Sequence, residues 1–178
     1  MILEPKDIPV EFLREIPEGI KLVTRHGHPF LVMEKVEDAA GHSLMDESVK
    51  IHGEPTIKLR VKVGRAEGLI YIDSFWGSHA KLYSFIPDFS EGNTVEAFSP
   101  ADNTSLMVPW KCPVEGCDET SGIIMRLPGL KNTITVCGKL GCPGHHIDIF
   151  KVPEGVSEQI SSINFFGTGM MDDDLFGF

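Results

Sequence analysis

Two matched cysteine pairs constrain this chain more than any other feature. Cys112-Pro113-Val114-Glu115-Gly116-Cys117 and Cys137-Gly138-Lys139-Leu140-Gly141-Cys142 share one C-x4-C spacing, with 19 residues between them. The interval holds an apolar run (122–127), a Pro-Gly turn (128–132) and a β-rich run (133–136). That order reads as knuckle, strand, turn, strand, knuckle, a hairpin that returns the second pair to the first. Glycines inside both knuckles let the backbone bend so that amide hydrogens can point at sulfur. Four soft thiolates suit a tetrahedral ion, and a closed set of four points to a structural metal. Four cysteines in 178 residues are too few for a disulfide scaffold.

The segment resembles a zinc ribbon over about residues 110–150, with Cys112, Cys117, Cys137 and Cys142 in the ligand positions. It departs from that fold type in its knuckles, which are mostly C-x2-C in zinc ribbons and are two residues longer here. The resemblance implies structural Zn²⁺, with iron–sulfur or thiol redox chemistry as the competing uses of such a set. His145 and His146 follow closely, and Cys142 to His145 has C-x2-H spacing, which makes the two histidines alternate ligands. Upstream, Ser99-Pro100-Ala101-Asp102-Asn103 has the outline of a C-P-x-C-G knuckle with both cysteines replaced. It reads as a plain turn, or as the remnant of a second metal knuckle.

The remaining chain predicts a mainly β fold, an antiparallel sheet or small barrel with a short N-terminal helix. Asp7 is placed to cap that helix, and Ile8, Phe12, Leu13 and Ile16 share one face. Expected strands cover 20–25, 30–36, 57–63, 69–73, 81–86 and 94–98, with a turn at His26-Gly27-His28-Pro29 and loop composition over 37–50. This divides the chain into an N-terminal helix (1–19), a β domain (20–108), the ribbon (109–152) and an acidic-aromatic tail (153–178). Charge follows the division. The net charge is −10, and the last 26 residues carry five acidic and no basic side chains. Four of eleven phenylalanines lie in the final 14 residues, beside three aspartates and three glycines. Phe165, Phe166, Leu175, Phe176 and Phe178 therefore read as a docking peptide for a protein partner or a second copy, or as side chains that fold back.

No dinucleotide-binding, Walker, serine-hydrolase or H-E-x-x-H motif is present. His26 and His28 with His52 or His79 are a weaker second metal candidate. Asp73, near Trp76, is either a buried carboxylate or a strand-end turn residue. The strand 57–63 alternates apolar residues with Lys58, Arg60 and Lys62, one basic face without an evident aromatic platform. With an acidic total, nucleic acid is not an expected partner. Met1 to Asp7 lacks a basic, apolar leader, and no run is long enough to cross a bilayer, so a cytoplasmic setting is expected. The leading expectation is a non-catalytic accessory protein or small subunit that binds protein partners. A metalloprotein with chemistry at the Cys/His cluster comes second, and a nucleic-acid-binding ribbon third.

Overall fold

The computed structural model describes residues 6–129, 131–150 and 152–163. The tail side chains Phe165, Phe166, Leu175, Phe176 and Phe178 lie outside the described residues. Among the described residues, eleven strands form three antiparallel sheets, with one short helix toward each end. The mainly β expectation holds in its open-sheet form; no sheet closes into a barrel.

Helix α1 (Val10–Arg14) has Pro9 at its N-cap and no side-chain cap, so Asp7 does not take the capping role expected of it. Proline fixes φ near the helical value at the entry, which serves where a cap is missing. Phe12 is the anchor of the helix and is fully buried. Strands β1 (Ile20–Arg25) and β2 (His28–Met33) form the first hairpin. His26 and Gly27 take φ of 51° and 79° at its turn, and His52 and Gly53 take 53° and 81° at the next. Both are X-Gly turns with positive φ at each central residue, whose twist matches that of paired strands.

The second sheet is built around β4 (Glu54–Val63). Along one edge it pairs with β5 (Ala66–Ile72), which in turn pairs with β6 (Lys81–Tyr83). The opposite edge is shared: β3 (Met45–Ile51) takes its first half and β7 (Val95–Phe98) its second. Ile57, Leu59, Val61 and Val63 point into the core, as their alternation requires. The third sheet runs β11 (His145–Asp148), β10 (Thr133–Cys137), β9 (Ser121–Arg126) and β8 (Met107–Pro109). Helix α2 (Glu154–Ser161) occupies a segment read from sequence as tail. It packs on β11, burying Val156 and Ile160. The buried apolar side chains of both larger sheets belong to one cluster, running from Phe12 to Ile163.

Candidate metal centre

Strand β10 ends at Cys137, and β9 lies beside it in register, so the hairpin holds its two ends at fixed separation. The knuckles project from this frame with the same internal bonding. Each second cysteine donates its amide to the carbonyl three residues back, Cys117 to Val114 at 3.0 Å and Cys142 to Lys139 at 3.1 Å. Each preceding glycine is left-handed, Gly116 at φ 84° and Gly141 at 85°. The glycine is required because a Cβ disfavours that conformation. The two additional residues thus complete a second turn within each knuckle, and the C-x4-C spacing is one device used twice.

Amide hydrogens also converge on sulfur. Val114 N–H is directed at the Cys112 thiol, Glu119 N–H at Cys117, and Lys139 N–H at Cys137 over 3.4 Å. All four Sγ atoms lie within 4.8 Å of one another, with Cys112–Cys142 at 3.6 Å and Cys117–Cys137 at 3.7 Å. A metal–sulfur bond of about 2.3 Å sets the edge of a tetrahedron near 3.8 Å. The sulfurs therefore stand at coordination spacing, and all four thiols are free of disulfide bonds. Gly144 closes one side: a Cβ there would collide with the Cys112 sulfur. Burial pushes the Cys112 thiol up to about 11 and Cys137 higher still, whereas the backbone hydrogen bond from Glu119 lowers Cys117. Buried thiols of this kind ionise together only around a cation.

The histidines are turned to other work. His146 Nδ1 meets Ser161 Oγ at 3.1 Å, which ties β11 to α2. His145 Nδ1 lies 3.0 Å from the Pro143 carbonyl and 3.2 Å from His79 Nε2, and its ring stands edge-on to Trp76. Its Nε2 is buried without a hydrogen-bond partner among the described residues. Burial holds both His79 and His145 below the ordinary histidine value, keeping them neutral. Lys81 sits in the same wall. Burial brings its ammonium down to about 8, while the thiolates of Cys142 and Cys137 pull the other way. This His–His–Trp–Lys surround escaped the sequence reading, because 66 residues separate His79 from His145 and no motif spans them.

The other candidates separate cleanly. His52 Nδ1 donates to buried Asp73 at 2.7 Å, and Ser78 Oγ donates to the same carboxylate at 2.5 Å. Asp73 is therefore both buried and a turn residue, since its second oxygen accepts the Phe75 amide. His26 and His28 are exposed at the first hairpin and join neither His52 nor His79 in a metal-ligating group among the described residues.

The turn at Ser99 has an unforeseen partner. Ser99 Oγ donates to Asp38 Oδ2 at 2.6 Å, and His42 Nδ1 meets the same oxygen at 2.9 Å with Asp102 3.7 Å away. Ala101 N–H bonds the Ser99 hydroxyl, and Ala40 N–H bonds Asp38, each two residues on, as in the cysteine knuckles. Two knuckle-like turns face each other here, joined by hydrogen bonds among Ser, Asp and His. No family model matches this chain, and no curated protein or solved structure matches it.

Proposed function

We propose that this chain is a non-catalytic, zinc-stapled accessory protein or small subunit whose surfaces serve protein partners. One observation carries the reading: four thiols at tetrahedral spacing, each knuckle closed on itself, with both neighbouring histidines engaged elsewhere. A full set of four cysteines leaves no coordination position for a catalytic water, so zinc here would act on folding. Zn²⁺ fits thiolates buried at this spacing, and amide hydrogen bonds to sulfur offset part of their charge. A reducing compartment such as the cytoplasm keeps such thiols available. The aromatic side chains at 165, 166, 176 and 178, with Leu175, are the segment we assign to partner docking.

Metal analysis of the purified protein tests the first half, with about one zinc per chain and no visible absorption expected. Iron in place of zinc, or turnover of a substrate by the isolated monomer, would refute it. The second half predicts that a partner co-purifies with the full chain and is lost when 164–178 are removed. An unchanged set of bound proteins after that deletion would remove the tail from the proposal.

A further inference from the structure

Strand β4 sends Lys58, Arg60 and Lys62 to the side away from the core, and the register decides what surrounds them. Tyr71 lies directly opposite Lys58, and Leu82 of β6 lies opposite Tyr71. Arg60 faces Leu69 across one edge and Phe98 across the other. Lys62 stands between Glu67 and Glu96. Directly paired residues share a face of a sheet, so these side chains form one outer surface. Leu69, Tyr71, Leu82 and Phe98 are half-buried and take no part in the core cluster. The charges are unequal in availability. Lys58 reaches Asp46 at 3.3 Å, Lys62 is flanked by carboxylates, and exposed Arg60 has no acidic partner within 4.0 Å among the described residues.

Each ring on this face thus has a cation as its cross-strand neighbour, and the two rings stand on the two strands beside β4. Strand spacing of about 4.8 Å and a two-residue offset of about 7 Å place them roughly 12 Å apart. Aromatic faces interleaved with cations on an open sheet match the needs of an unpaired strand, whose bases stack and whose phosphates seek a guanidinium. Bases in a duplex are already stacked and present no free face.

We propose that this surface binds single-stranded nucleic acid, with bases stacking on Tyr71 and Phe98 and Arg60 on an intervening phosphate. The net charge of −10 opposes long-range attraction. Stacking therefore supplies the affinity, and with one or two phosphate contacts the slope of log K against log salt is about −0.7 to −1.4. The acidic border at Glu67 and Glu96 confines the strand to the Lys58 and Arg60 end. This inference does not depend on the metal, whose content is measured separately.

Fluorescence anisotropy of the full-length chain as purified, with a labelled oligodeoxythymidylate, tests it. The single strand binds at low salt with that shallow slope, and a duplex of equal length does not. Tyr71→Ala and Phe98→Ala each weaken binding roughly 5- to 150-fold. Tyr71→Phe, which keeps the ring, retains it. Arg60→Glu, at an exposed position, weakens binding with the Tm unchanged, and Glu67→Gln with Glu96→Gln strengthens it. Failure of the single strand to bind, equal binding of duplex, or indifference to Arg60→Glu would overturn the proposal. A protein captured by this face with no affinity for the oligonucleotide would do the same.

Discussion

Asp38 gathers four hydrogen bonds, from Ser99, from the His42 ring and from the amides of Ala40 and His42. Burial acts to raise its pKa, yet these donors prevail and bring it down to about 2 from an ordinary 3.8. A carboxyl depressed in the folded state adds stability above its unfolded value and loses it as pH falls through the folded one. The hydrogen bond and charge of Asp38 raise His42 above its usual 6.5, so that contribution is complete below 6.5 and is lost as pH rises through the higher value. The pair therefore supports the fold best between about pH 4 and 6.5. Asp38→Asn should flatten the fall in Tm between pH 4 and pH 2, which a thermal melt series reads directly. At the four-cysteine cluster, Gly144→Ala drives a methyl group against the Cys112 sulfur, the Cys137 Cβ and Val114. Overpacking of this kind costs about 1–3 kcal/mol, and here it acts on a proposed zinc ligand. Zinc content per chain should fall along with Tm. A variant that keeps full zinc would show that the knuckle yields.

Among the elements, α2 is tied to β11 through Ser161 and to the segment after β5 through Trp76, whose Nε1 donates to the Ile160 carbonyl at 2.7 Å. Trp76→Phe removes that donor and leaves the carbonyl with the Ile163 amide alone, at 3.2 Å, which should cost about 1 kcal/mol. Amide exchange in α2 should accelerate by roughly 5-fold or more, while β4 and β5 stay protected. The helix was legible in principle, because Val156, Ile160 and Ile163 recur at helical intervals. Its polar residues and Pro153 gave the segment the composition of a tail. Strand β3 was hidden differently. Its Asp46, Glu47 and Ser48 read as loop, and a register shift between Asp46 and Lys50 breaks the alternation that would mark a strand. β8 has three residues and ends in a proline, too short for any period to register. β4 was plain because seven residues alternate without a fault. The cysteines were legible for the same kind of reason, since ligand spacing is local. The partnership of Ser99 with Asp38, 61 residues apart, is settled only by the packing of sheets. So is the meeting of Tyr71 and Phe98 beside a basic strand.

For the whole molecule, the question is whether the proposed zinc would stabilise the four-cysteine segment alone or the entire chain. The ribbon strands contribute Ile123, Met125, Ile134 and Ile147 to the same buried cluster that holds Leu59, Val61 and Phe75. Backbone bonds cross the junction as well. Glu37 and Arg126 exchange two, at 2.7 and 2.9 Å, Val95 N–H reaches Gly138 at 2.6 Å, and Leu140 N–H reaches Asn93 at 2.8 Å. The last two land on the second knuckle itself, so the geometry of Cys137 and Cys142 is tied to the segment that leads into β7. A ribbon that melted alone would strip one side of the shared core and expose apolar surface on the β domain, at about 25 cal/mol for each Å². Local unfolding is thus nearly as costly as global unfolding, and the two should occur together. Domains of this size are stable by only about 5–15 kcal/mol, while a structural zinc site binds with about 10–16 kcal/mol. Chelating the proposed zinc under reducing conditions should lower Tm by more than about 10 °C, since about 1 kcal/mol corresponds to 2–4 °C at this length. Calorimetry should record one transition before and after. Two separated transitions in the stripped protein would mean that the ribbon and the β domain fold as independent units, despite the core they share.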